Sequence, residues 1–143
     1  MKRLKRNEKI GRQVEELVNH RIQGELNKKQ RGMWDIETDH NLIEVKSAKL
    51  RTIDHKPLTR PGRFFINRRT HEKFLEYAKE LLKEPLYIFC VYKLNSKQPK
   101  IIMTKTLHWS KIDRILEERP IFTKTEGTRY SLIPHTIIFG DKR

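Results

Sequence analysis

WDIETDHNLIEVKSAK, residues 34–49, carries Asp35, Glu37, Glu44 and Lys46 inside what otherwise reads as a short apolar hairpin. The pattern predicts strands over residues 33–38 and 42–47, joined through the turn formers Asp39, His40 and Asn41. Side chains alternate along a strand, so Leu42, Glu44 and Lys46 share one face while Ile43, Val45 and Ser47 share the other. Asp35 and Glu37 also share a face, and a tight hairpin would set that face beside Glu44 and Lys46.

Carboxylates held this close repel, and partial removal from water raises their pKa values unless a cation neutralises them. Mg²⁺ prefers hard oxygen ligands and commonly takes only one or two protein carboxylates, leaving the rest of its octahedron to water and phosphate. Asp35 and Glu44 suit that task. A metal so placed polarises a phosphoryl oxygen and lowers the pKa of water for in-line attack on a phosphodiester. Lys46, two residues from a ligand, is then positioned to orient that water or offset charge developing on the phosphate. The plain alternative is the solvated face of an exposed hairpin, with cross-strand ion pairs each contributing under about 1 kcal/mol. Glu37 reads as a surface acid, with an auxiliary metal ligand the alternative.

Moving outward, the polar, proline-containing segment LRTIDHKPLTRPGR, residues 50–63, predicts a surface loop. Its Arg51, Lys56, Arg60 and Arg63, with Arg68 and Arg69 just beyond and Phe64 and Phe65 interleaved, are candidates to grip phosphates; the alternative is an ordinary charged loop. Upstream, Ile10, Val14, Leu17, Val18, Ile22 and Leu26 recur at helical spacing, predicting an amphipathic helix over about residues 9–27. Downstream, Thr70 is a candidate cap for a helix over 70–84, whose stripe is Phe74, Ala78, Leu81 and Leu82. His71 reads as a polar residue at that helix start. LYIFCVYKL, residues 86–94, has the composition of a central strand buried on both faces. NSKQPK turns into a strand IIMTKT, Ser110 opens a short helix, and RYSLI and TIIFG read as terminal strands. The order αββ, loop, αββα, ββ predicts a single mixed α/β domain, its central sheet flanked by helices.

With 32 Lys and Arg against 18 Asp and Glu, the formal charge is +14, an imbalance suited to a polyanionic partner such as nucleic acid. No window approaches the roughly 18 apolar residues of a spanning helix, and MKRLKRNEKIGR has no apolar core for a signal peptide. A soluble, cytoplasmic chain without a membrane partner is expected. A single cysteine, Cys90, rules out an internal disulfide. The six histidines fall in no Cys/His cluster of zinc-finger spacing.

WDI followed by LIEVKSAK resembles the motif of the PD-(D/E)XK nuclease superfamily, the restriction-endonuclease-like fold. The resemblance puts the family's metal-binding Asp on Asp35, the acid of its E-x-K on Glu44 and its lysine on Lys46; Trp34 stands where the family has Pro. It also implies a Glu in the first helix four residues after a Gly, which GRQVE supplies as Gly11 and Glu15. Glu15 lies about 100° from the centre of the helix's apolar stripe, flanking the core, whereas Glu16 faces water. By size and charge the chain looks most like archaeal Holliday junction resolvases, although a restriction-type or virus-encoded nuclease fits the same residues. The resemblance implies a Mg²⁺-dependent endonuclease, with Mn²⁺ as substitute, that cuts duplex or branched DNA as a homodimer. A non-catalytic basic nucleic-acid-binding module and an RNA-cleaving nuclease are the alternatives.

Overall fold

The structure, a computed structural model, describes residues 2–22, 24–26, 34–55 and 58–140. A first helix, α1 (Lys2–Ile22), precedes the short strands β1 (Glu25–Leu26) and β2 (Ile36–Glu37) and the long β3 (Asn41–Lys49). A hairpin of β4 (Arg51–His55) and β5 (Leu58–Pro61) leads to β6 (Arg63–Asn67) and α2 (Arg68–Glu80). Then come β7 (Glu84–Asn95), β8 (Gln98–His108), α3 (Trp109–Glu117), β9 (Phe122–Thr123), β10 (Arg129–Pro134) and α4 (His135–Phe139).

The central sheet runs β1-β2-β3-β7-β8, with β3 and β7 parallel and the other neighbours antiparallel. A parallel pair needs a crossover connection. Here β4 to β6 and α2 supply it, and β6 pairs with β10 and β10 with β9 in a separate three-stranded sheet. The fold is therefore α/β with a mixed central sheet and flanking helices. As its composition predicts, β7 is central, and Tyr87, Ile88, Phe89, Cys90, Val91 and Tyr92 are all buried.

Strand alternation divides the core into two layers. On one face Leu42, Ala48, Tyr87, Phe89 and Val91 pack with Phe64 and Ile66 of β6, Phe74 and Ala78 of α2, and Ile112 and Leu116 of α3. On the other, Ile43, Val45, Ile88 and Cys90 lie under Ile10, Val14 and Val18 of α1. Each such buried aliphatic side chain contributes about 1.5–3 kcal/mol. Among the described residues no helix is long and apolar enough to cross a membrane.

Several sequence expectations are corrected. The first helix stops at Ile22 and Leu26 belongs to β1, while Leu17 and Ile22 are exposed, so the seam is the narrower Ile10, Val14, Val18. Of the predicted strand 33–38, Ile36–Glu37 is strand, and Met33 lies outside the described residues. The expected loop at 50–63 is largely a β4–β5 hairpin, tied back by the Gly62 N–H donating to the Leu50 carbonyl at 3.4 Å. The helix predicted over 70–84 spans Arg68–Glu80, and its cap is Asn67, whose Oδ1 accepts the Thr70 N–H at 3.1 Å. TIIFG is not a strand: it falls in α4 and is closed by Gly140 at φ 84°. Its β-branched composition favours a strand, but local hydrogen bonding after Pro134 decides otherwise.

Candidate active site

Asp35 sits immediately before β2, where that short strand leaves the side of β3. Its own N–H donates to the Ile43 carbonyl at 2.9 Å, and its Oδ2 accepts the Val45 N–H at 2.7 Å. A side chain thus satisfies a β3 donor that a longer neighbouring strand would have taken, which fixes the carboxylate at the sheet edge. Glu44, level with Tyr87 of β7, projects into the face shared by Leu42 and Lys46 and is only 7% exposed. That face is interior, so Glu44 is not part of a solvated hairpin surface.

Glu15 reaches the same edge from α1 and hydrogen-bonds Asp35. Burial, then the Asp35 charge and that hydrogen bond, raise its pKa from 4.5 to about 8, against the opposing pull of Arg12 and Lys46. Glu44 is likewise held well above the usual carboxylate range, chiefly by burial. Lys46 opposes the shift, while the hydrogen bond that the protonated Glu44 makes to Asp35 and the charges of Asp35 and Glu15 add to it. A helix, the residue before β2 and the middle of β3 thus bring Glu15, Asp35, Glu44 and Lys46 together. Glu37 parts from them: its carboxylate pairs with Lys83, which also donates to the Thr38 carbonyl at 2.8 Å.

The donor set fits a hard divalent cation, because burial and crowding raise the Glu15 and Glu44 pKa values and positive charge relieves that crowding. Asp35 and Glu44 are the side chains that would hold it. Among the described residues no group of three or more His, Cys, Asp and Glu is arranged to hold a metal ion. An ion here would accordingly take one or two carboxylates and complete its shell with solvent or substrate oxygen.

The predicted phosphate-gripping residues are dispersed. Arg51 is engaged within its own hairpin, its Nε donating to Thr59 Oγ1 at 2.9 Å and its guanidinium to the Thr59 carbonyl at 3.3 Å. Arg60 lies on β5 opposite Thr52, and Arg63, exposed, opens β6 opposite Pro134. Lys56 lies outside the described residues. Arg68 and Arg69 open α2, whose first turn holds no acid. Cations are disfavoured at a helix N-terminus by the macrodipole, so these positions sacrifice some local stability. Arg68 donates to the Leu116 carbonyl at 3.3 Å and borders a cleft of about 390 Å³ with His71, Asp113 and Arg129.

Sequence reasoning missed a polar network behind Glu44. His71 is buried, with Nδ1 2.6 Å from the Tyr87 hydroxyl and Nε2 2.5 Å from Asp113 Oδ1. Burial, then the charges of Glu44, Asp113 and Asp35, hold the Tyr87 hydroxyl protonated. The available signal was Tyr87 itself: a hydroxyl within a doubly buried strand requires a partner.

A family model described as PD-(D/E)XK nuclease superfamily domain matches residues 1–138. No curated protein sequence matches the chain.

Proposed function

The chain belongs to the PD-(D/E)XK nuclease superfamily, and from that premise we propose that it is a divalent-metal-dependent endonuclease acting on DNA, with Mg²⁺ the natural cofactor and Mn²⁺ a substitute. Family membership makes it a nuclease and its substrate a nucleic acid; metal dependence, the preference for DNA, the branched substrate and a homodimeric assembly are the proposal. So are the assignment of Glu15, Asp35, Glu44 and Lys46 to the active site and the reading of the chain as one domain.

The observation that carries the reading is the convergence of three acids and a lysine at the edge of β3, in a chain of net charge +14. In such a chain surface acids would be expected to pair with abundant bases. Here three acids share one edge, and burial and mutual repulsion lift two pKa values despite Arg12 and Lys46, an arrangement that a cation would relieve. A divalent cation held by Asp35 and Glu44 supplies Lewis-acid neutralisation at the scissile phosphate. The Val45 N–H holds the Asp35 carboxylate, and the β3–β7 pairing fixes the strand that carries Glu44. Lys46, on the same face as Glu44, places an ammonium where charge grows on the phosphate and stabilises that charge more than the ground state. Glu15 shares a hydrogen bond with Asp35, and its charge helps keep the Glu44 pKa high.

The test is cleavage of duplex, single-stranded, flap and four-way-junction DNA, with matched RNA, in Mg²⁺, Mn²⁺ or chelator, beside Glu44→Ala. Cleavage confined to the metal-containing reactions and lost in Glu44→Ala is the expected result. Undiminished cleavage by Glu44→Ala, or in chelator, sinks the assignment; binding without cleavage returns the chain to a non-catalytic module.

A further inference from the structure

The three-stranded sheet β6-β10-β9 turns Phe64, Ile66 and Ile133 into the core, which leaves Phe65, Tyr130 and Leu132 on its other side, part-exposed. Phe65 and Tyr130 stack with centroids 4.7 Å apart and planes 23° apart. Phe122 of β9 extends the row, 5.6 Å from Tyr130 at 33°, and is itself 44% exposed. Lys124 Nζ lies 4.9 Å from the centre of the Phe65 ring and 5.9 Å from that of Tyr130. A tight turn holds this lysine: its N–H donates to the Thr128 carbonyl, and Gly127, at φ 101°, donates back to its carbonyl, both at 2.8 Å.

We infer that the exposed Phe122 ring at the end of this aromatic row, on the outer three-stranded sheet, is a stacking platform for unpaired nucleobases. That the partner is a nucleic acid rests on the proposed nuclease function; that its bases are unpaired rests on the rings. A clustered aromatic surface beside solvent marks an interaction site. The charge beside it selects the partner, because Arg63 shares the outer face with Phe65 and Lys124 covers the rings, against the exposed Glu126 on the same turn. Two copies of this +14 chain meeting here would set these cations against each other. A polyanion is attracted instead, and its bases have faces that any aromatic ring can stack on, whatever the sequence. In an intact duplex those faces are already covered by neighbouring pairs. The platform therefore fits a single strand, or the splayed nucleotides of a flap or junction.

The test is fluorescence anisotropy in chelator, so that cleavage does not enter, with labelled oligo(dT), oligo(U) and blunt duplex DNA as probes. Phe122→Ala, at an exposed position, should weaken single-strand binding by about fivefold or more, while Phe122→Trp preserves it. Affinity for blunt duplex should be unchanged in both variants. Equal loss on all probes, no loss on any, or a wild-type dimer that Phe122→Ala dissociates each overturns the inference. Wild-type protein that binds duplex without ring-dependent single-strand binding overturns the platform alone. Failure to bind any nucleic acid overturns the nuclease reading as well.

Discussion

Replacing Glu15 by Gln should stabilise the metal-free protein above neutral pH and flatten its pH dependence. Glu15 has its pKa raised from 4.5 to about 8, mainly by burial and then by Asp35. In the unfolded chain it loses its proton near 4.5, whereas in the folded chain it keeps that proton to about 8. Stability linked to this group is therefore fully present below 4.5 and is lost as pH rises through the interval to about 8. One unit corresponds to about 1.4 kcal/mol, but the side chain is partly exposed and solvent screening reduces the total, to about 2 kcal/mol. Gln keeps a donor toward Asp35 and cannot ionise. The variant should match wild type near pH 4.5 and exceed it by about 2 kcal/mol near pH 8, or about 6 °C in Tm for a chain of this size. Urea denaturation in chelator, followed across that range, reads the difference directly. Glu44 titrates in the same direction and is coupled to Glu15, so the wild-type slope belongs to the pair while the difference curve isolates the substitution. Superimposable curves, or a variant less stable at pH 8, would refute the crowded-acid reasoning. Added Mn²⁺ should reverse the wild-type trend, stabilising more as pH rises, because ligating carboxylates must first lose their protons.

Lys46→Ala should lower turnover far more than it weakens nucleic-acid binding; a purely binding defect in single-turnover kinetics would assign Lys46 to phosphate grip. Asp35→Ala should abolish cleavage yet preserve or strengthen DNA binding, since a repulsive carboxylate is removed, and retained cleavage counts against its role as a ligand. Arg63→Ala and Arg69→Ala should each reduce the log-log salt slope of binding by about one if the residue touches a phosphate, and wild-type slopes would leave it as solvated charge. Gly62→Ala should destabilise by more than about 2 kcal/mol, read as a fall in Tm. A Cβ there would meet the Lys49 carbonyl oxygen at 1.9 Å, so the β4–β5 hairpin would have to move off the end of β3.

Local patterning in the sequence was sufficient for the elements whose physics is local. The period of Ile10, Val14 and Val18 marked α1, and the apolar run through Phe89 marked the central strand, because burial on a helix stripe or on both strand faces leaves a periodic trace. The shared face of Glu44 and Lys46 followed from strand alternation in the same way. Tertiary structure alone decided that this face is interior, that Glu37 goes to Lys83 while Asp35 turns to the Val45 N–H, and that Glu15 reaches them from α1. It also decided that the basic segment is mostly a hairpin, with Arg51 tied to Thr59, and that His71 is buried between Tyr87 and Asp113. These contacts join residues that lie far apart along the chain or compete for the same backbone donors. Residue type and spacing carry the local preference, but the choice of partner is made only when the packed layers bring the candidates within hydrogen-bonding distance.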